Sequence, residues 1–263
     1  MKYGFIGCGN MGGALAKALS KSTKDILLAD ADAEKAKSLA AELGIACGTN
    51  DEVFKGCERV FLAVKPQYMA SMLDAAAPIL EKRQDITLIT IAAGLRIEKI
   101  LALAGGVFPV IRLMPNTPAA LGKGVIMYCR NELVSDETLS DFLSDLSPAG
   151  LLDGISENLI DAGCSLSGCG PAFVYQFIES LADGAVACGL PRDKAVKYAA
   201  MTLIGASEMI LQSGKHAGQL KDEVCSPGGS TIMGVKALED KGFRGAVIDA
   251  VIAAYEKNVA LGK

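Results

Sequence analysis

The opening residues constrain the fold more than any other stretch. Tyr3 to Cys8 is a short apolar run of strand character that enters the pattern Gly7-x-Gly9-x-x-Gly12, and Met11 to Leu19 then repeats apolar residues at helical spacing. A strand, a glycine-rich turn and a helix in that order make the first half of a βαβ unit. Each glycine has its own reason. Gly7 permits the tight turn, Gly9 lets a pyrophosphate approach the backbone, and Gly12 lets the helix pack on the strand. The helix N-terminus then turns unpaired N–H groups toward the phosphates. Gly7, Gly9, Asn10, Met11 and Gly12 are therefore candidate cofactor-binding residues.

The alternation continues. Ile26 to Ala29 reads as the next strand and Ala33 to Glu42 as the next helix; Arg59–Val64, Ile86–Ile91 and Val110–Leu113 are further apolar strands. These runs are continuously apolar, which is the pattern of parallel strands covered on both faces. Gly124–Tyr128 and a helical Ser135–Leu146 close this half, and strand signals stop after Gly154. Pro171 to Cys188 then reads as a helix, and a second one starts at Pro191 and stops at Gly214. Within it, Tyr198 to Ser207 carries no charge on any face. Such a helix is expected to be buried, and a small domain can hardly bury several of them alone. The predicted architecture is α/β: a Rossmann-type doubly wound sheet in residues 1–154, followed by an all-helical dimerisation and substrate-binding domain in 155–263.

Composition narrows the class. Of 263 residues 51% are hydrophobic but only 5% aromatic, so the apolar mass is aliphatic and suits closely packed helices and strands. A net charge of −4 argues against nucleic acid or an anionic membrane surface as partner. The longest uncharged stretch, Ala162 to Ile178, contains three glycines and a proline and is too short to span a bilayer. Met1-Lys2 leads straight into a strand, so no secretory leader is expected. Eight cysteines without a CxxC pair and a single histidine, His216, form neither a zinc pattern nor a disulfide framework; reduced thiols in the cytoplasm are expected.

Other segments carry chemistry. Asp30 ends the second strand, where an acidic group accepts hydrogen bonds from the adenosine ribose and repels a 2′-phosphate. No Arg or Lys appears between it and Lys35, which favours NADH over NADPH; Asp32 reads as an N-cap. Ala63, Val64, Lys65 and Pro66 follow a buried strand, at the sheet end where ligands lie. Met114-Pro115-Asn116-Thr117-Pro118 is a rigid loop offering the Asn116 amide. Far along the chain, Ser226-Pro227-Gly228-Gly229-Ser230-Thr231 is a small-residue loop that can aim backbone N–H groups at an anion without a basic side chain. His216 is read as an exposed loop residue rather than a general acid.

Taken in order, these segments resemble the pyrroline-5-carboxylate reductase family along the whole chain. Ser167 to Phe173 (SGCGPAF) resembles the family's SGSGPAY, with Cys169 and Phe173 replacing a serine and a tyrosine, and Asp222 to Ile232 matches its later signature nearly throughout. The resemblance implies reduction of 1-pyrroline-5-carboxylate to L-proline by hydride transfer from NAD(P)H, the last step of proline biosynthesis. It implies that VKP and MPNTP line the nicotinamide side and that Asn50 contacts the adenosine end. It also implies that Ser226, Gly229 and Ser230 bind the substrate carboxylate while Thr231 faces the ring nitrogen. A homodimer or a ring of dimers is implied, without metal. Two features depart from the family: Asp30 stands where many relatives carry a small hydroxyl or amide residue, and Gly214 where some carry a glutamate. A hydroxyacid-type dehydrogenase is the alternative enzyme, but Gly168 to Ile178 lacks the lysine it would need. A nicotinamide-binding sensor without catalysis is the non-enzymatic alternative, although a sensor need not keep the SPGGSTI loop.

Overall fold

The computed structural model describes residues 1–83 and 85–261, the last by its backbone. The chain divides into two compact units, Met1–Gly168 together with the stretch from Ala254, and Cys169–Ala253. The first holds β1 (Tyr3–Ile6), α1 (Asn10–Leu19), β2 (Ile26–Ala29), α2 (Ala33–Leu43), β3 (Ala46–Cys47), α3 (Asn50–Gly56), β4 (Arg59–Leu62), α4 (Pro66–Leu80), β5 (Thr87–Thr90), α5 (Ile97–Ala104), β6 (Val110–Met114), β7 (Gly124–Arg130), α6 (Asp136–Leu146), β8 (Gly150–Gly154) and α7 (Ile160–Ser167). The second holds α8 (Gly170–Ala187), α9 (Arg192–Ser213), α10 (Ala217–Val224), α11 (Ser230–Asp240) and the greater part of α12 (Phe243–Leu261).

The strands form one sheet in the order β3-β2-β1-β4-β5-β6-β7-β8. Its first six follow the doubly wound order, with the chain reversing direction between β1 and β4. Neighbours are parallel, as the continuous apolar runs predict, except that β7 runs antiparallel to β6. Successive strand residues serve opposite layers. Phe5, Leu28 and Phe61 pack with Leu15 and Leu19 of α1 and Phe142 of α6. Ile6, Val60 and Leu88 pack with Phe54 of α3, Leu73 of α4 and Ile100 of α5. Gly4 is glycine because α3 lies close: a Cβ there would sit 2.5 Å from a Val53 methyl. Helix starts follow local chemistry. Asp32 caps α2, Thr49 and Glu52 form a capping box on α3, and Pro66 opens α4.

The sequence places a boundary after residue 154 because strands end there, whereas the compact division keeps α7 in the first unit. Ile160 and Cys164 of α7 pack with Met114 and Met127 of β6 and β7. In the second unit the apolar stretch of α9 is not buried within this chain. Ala195 and Ala199 are buried, but Tyr198, Met201 and Ile204 are 53%, 58% and 51% exposed. This agrees with the reading that the helical segment can hardly bury such helices alone: within the single chain only one face of α9, at Ala195 and Ala199, is covered.

Candidate active site

The β1–α1 turn is built as its glycines require. Gly7 has φ 107°, and a Cβ on it would lie 2.5 Å from the Ala63 carbonyl oxygen. A Cβ on Gly12 would overlap the Gly7 carbonyl oxygen and approach the Ala63 Cβ to 3.0 Å. Gly9 differs: it has ordinary extended dihedrals, φ −66° and ψ −174°, and no atom lies within 4 Å of its notional Cβ. Gly9 is also the N-cap of α1, with no side-chain cap and no acidic residue in the first turn. The N–H groups of Asn10, Met11 and Gly12 therefore have no partner within the helix. This is a cradle for a phosphate group, and it fits the pyrophosphate of a nicotinamide dinucleotide. A cleft of about 570 Å³ opens beside it, lined by Cys8, Gly9 and Asn10 of the turn, Lys17 of α1, and Lys35 and Ser38 of α2.

Asp30 is placed beyond β2 beside this turn. Its Oδ2 accepts the Cys8 N–H at 2.6 Å and its Oδ1 accepts the Asp32 N–H at 2.9 Å. The carboxylate thus ties the phosphate turn to the end of β2, a role invisible in the sequence pattern. Each oxygen keeps a second lone pair for a ribose hydroxyl. Asp32 is the N-cap that its position predicts, accepting the Glu34 and Lys35 N–H groups. Burial, reinforced by the Asp30 charge, pushes the Cys8 thiol up to about 11, so it stays neutral behind the turn. Asn50 opens α3, just after β3.

The ends of β4, β5 and β6 lie side by side next to β1. The Ala63 N–H continues the ladder to the Ile6 carbonyl at 2.8 Å; Val64 follows, Lys65 is the exposed N-cap of α4, and Pro66 its first residue. Asn116 is buried and already engaged, its Oδ1 accepting the Val125 N–H at 2.9 Å and its Nδ2 donating to the Ser167 carbonyl at 2.9 Å. One amide hydrogen and one oxygen lone pair remain for a ligand. Between these loops the strand order sets the β5–α5 loop, residues 91–96, where Gly94 has φ 76°. Sequence reasoning missed it, although Ala92-Ala93-Gly94 after an apolar strand is the small-residue signal of a backbone approached closely.

In the second unit the SPGGST loop repeats the logic of the phosphate turn. Ser226 to Gly229 is a type II turn: Pro227 and Gly228 are its central residues, Gly228 has φ 70°, and the Gly229 N–H donates to the Ser226 carbonyl at 3.0 Å. A Cβ on Gly229 would lie 2.6 Å from Ser226 Oγ. Gly229 is the N-cap of α11, again without a side-chain cap or an acidic first turn. Ser230 and Thr231 are therefore the first two helical residues rather than caps. Their N–H groups and that of Ile232 point out of the helix end unpaired. His216 plays a structural part, capping α10 with its Nδ1, which accepts the Gly218 N–H at 3.0 Å. Gly214 ends α9 with φ 64°, a conformation a glutamate would adopt only under strain.

Comparison with known proteins agrees with this geometry. Residues 157–261 match the family model described as pyrroline-5-carboxylate reductase dimerisation. Residues 2–94 match the one described as NADP oxidoreductase, coenzyme F420-dependent. The pyrroline-5-carboxylate reductase of Escherichia coli K12 is 40% identical, the alignment covering 100% of this chain and 98% of the relative. That of Pisum sativum is 38% identical, with 97% and 94% covered. The crystal structure of Plasmodium falciparum pyrroline carboxylate reductase with NADP bound superposes with a TM-score of 0.90 at 34% identity, covering 100% of this chain and 98% of that one.

Proposed function

The chain belongs to the pyrroline-5-carboxylate reductase family and is an oxidoreductase that reduces 1-pyrroline-5-carboxylate to proline with NAD(P)H, and from that premise we propose how its residues divide the work. The observation that carries the reading is the pair of uncapped, acid-free helix N-termini at α1 and α11, each preceded by glycine. Gly7, Gly9, Asn10, Met11 and Gly12 hold the pyrophosphate, and Asn50 lies toward the adenosine. Ala63, Val64, Lys65, Pro66 and Asn116 form the nicotinamide side. The nicotinamide, when bound, supplies the hydride that reduces the imine carbon. The loop at Ser226, Gly229 and Ser230 anchors the substrate carboxylate, with the Ser230 N–H as a donor because the Gly229 N–H is spent on the Ser226 carbonyl, and Thr231 orients the ring nitrogen by a hydrogen bond. This is catalysis by positioning rather than by a strong acid.

We propose NADH as the preferred donor. Asp30 is held by two backbone amides, so it cannot swing away from a 2′-phosphate, whereas Lys35 is an exposed cation. The relative from Plasmodium binds NADP, so the fold accepts the phosphate and the discrimination rests on this one carboxylate. Purified protein, 1-pyrroline-5-carboxylate, and NADH or NADPH in separate assays test both statements. Faster turnover with NADH supports them, preference for NADPH removes the role of Asp30, and no turnover with either removes the reaction.

The exposed apolar face of α9 and a groove of about 390 Å³ lined by Phe173, Phe177, Phe243, Val247 and Ala250 support a homodimer, or a ring of dimers, built on the helical unit. The second family model carries dimerisation in its description. No helix among the described residues is long and apolar enough to cross a membrane, and the scattered free thiols support the reducing cytoplasm as the place of action.

A further inference from the structure

We infer that Arg112 and Glu157 form a positioning clamp for the reaction, fixing the β5–α5 loop against the end of β6. Arg112 sits in the middle of β6, opposite Thr90 of β5 and Cys129 of β7, and is fully buried. Its Nη1 donates to Glu157 Oε1 at 3.0 Å, and its Nη2 lies 3.5 Å from Asp161 Oδ1. Its Nε and Nη2 have no hydrogen-bond partner among the described residues. The same Glu157 Oε1 accepts the Ile97 N–H at 2.8 Å. Ile97 is the first residue of α5, and Arg96 before it supplies no side-chain cap, so Glu157 caps this helix from a distant part of the chain. One carboxylate oxygen thereby holds the loop leading into α5 against the middle of β6, the strand that leads on to the engaged amide of Asn116.

Stability alone is a poor explanation of this arrangement. A buried guanidinium with two nitrogens lacking hydrogen bonds is unfavourable, and an apolar residue at a central strand position would avoid that penalty. The clamp instead sets a distance. The β5 and β6 ends lie beyond β4, on the far side of the switch point from β2 and its Asp30, which makes them the nicotinamide side of a dinucleotide laid across the sheet. A shift of about 1 Å there degrades hydride transfer without removing the adenosine and pyrophosphate contacts. Neither Arg112 nor Glu157 needs to touch cofactor or substrate. The inference rests on the nicotinamide-side reading proposed above.

Glu157 is partly exposed, with side-chain accessibility of 29%, so its variants should fold. Full-length Glu157→Ala, Glu157→Gln and wild type are compared by turnover, by dinucleotide Kd from nucleotide fluorescence, and by hydrogen exchange of the Ile97 amide. The carbonyl oxygen of glutamine still accepts both hydrogen bonds. The expected result is a fall in kcat of about tenfold or more in Glu157→Ala, with Kd within about twofold of wild type, faster exchange at Ile97, and a larger isotope effect with deuterated nicotinamide. Glu157→Gln should recover most of the turnover. Unchanged kcat in Glu157→Ala, parallel loss of Kd and kcat, or no recovery in Glu157→Gln each overturns the clamp. Absence of wild-type turnover would instead overturn the reductase reading, so the two failures are distinct.

Discussion

Replacing Gly9 by alanine should separate binding from folding, whereas the same change at Gly12 should affect both. The dihedrals at Gly9 suit any residue, and a methyl there meets nothing within 4 Å. Alanine is a poorer N-cap than glycine, at a cost of about 0.5–1 kcal/mol. It also restricts the unfolded chain, which returns about 0.4–1 kcal/mol. The two nearly cancel, so Tm should hardly move. The methyl would, however, occupy the space through which a pyrophosphate reaches the N–H groups of Asn10 and Met11. Losing one such charge-assisted hydrogen bond removes about 1.5–3 kcal/mol, a weakening of Kd of roughly 10- to 100-fold. At Gly12 the added Cβ overlaps the Gly7 carbonyl oxygen, and α1 must move off β1. Overpacking of this kind costs about 1–3 kcal/mol, or roughly 2–12 °C in Tm for a chain of this size. Nucleotide fluorescence titration and thermal melts on the two variants read both quantities. Wild-type affinity in Gly9→Ala would refute the placement of the dinucleotide at the α1 N-terminus. A fall in Tm equal to that of Gly12→Ala would refute the steric argument.

Thr231→Ala removes one orienting hydrogen bond; turnover should drop about three- to tenfold, with dinucleotide Kd unchanged, and undiminished turnover would remove Thr231 from the reaction. Cys8, a buried thiol pushed up to about 11, should resist iodoacetamide at pH 8 while exposed Cys47 is labelled, as mass spectrometry of the native protein would show. Asp141 is held below the usual carboxylate range by hydrogen bonds from Lys2 and Arg59. Its contribution to stability is therefore complete above the unfolded value of about 3.9 and is lost as pH falls through the lower folded value. The Tm advantage of wild type over Asp141→Asn should thus be full at pH 7, begin to shrink below about pH 4, and vanish only once pH has fallen below the depressed folded value; a constant difference across that range would contradict the ion-pair assignment.

What the sequence disclosed, and what it withheld, follows the range of the interactions. The β1–α1 turn and the SPGGST loop were legible because glycine, proline and the start of a helix act within a few residues. The parallel sheet was legible because strands buried on two faces must be apolar throughout. β3 was not, since Ala46–Cys47 is too short to carry a period. The antiparallel β7 was not, since pairing direction leaves no trace in an apolar run. Asp30 was read as a ribose acceptor, but its link to the Cys8 N–H spans the whole first βαβ turn. Arg112 offered only a charge inside an apolar strand, and its partner Glu157 is remote in the chain. The uncharged run in α9 indicated that its faces must be covered by more than its own domain, in keeping with the exposure of Tyr198, Met201 and Ile204 in the single chain, but such a run does not say which surface covers them.

The two legible sites also resolve a tension in the composition. A chain of net charge −4 has to bind a dinucleotide and a carboxylate, both anions. Long-range attraction cannot be the reason, because the overall field has the wrong sign and is screened beyond about 8–10 Å. The attraction must be local, and in the proposed assignment the backbone at α1 and α11 supplies it. Each helix begins after a glycine, without a side-chain cap and without the acidic first turn that would neutralise its N–H groups. By contrast α2, α3 and α6 are closed by Asp32, Thr49 and Ser135 and carry acidic residues in their first turns. α4 and α8 also lack a side-chain cap and an acidic first turn, but proline stands in the first turn of each; in the proposed assignment the missing caps at α1 and α11 are the local cost of leaving two helix ends open to ligands.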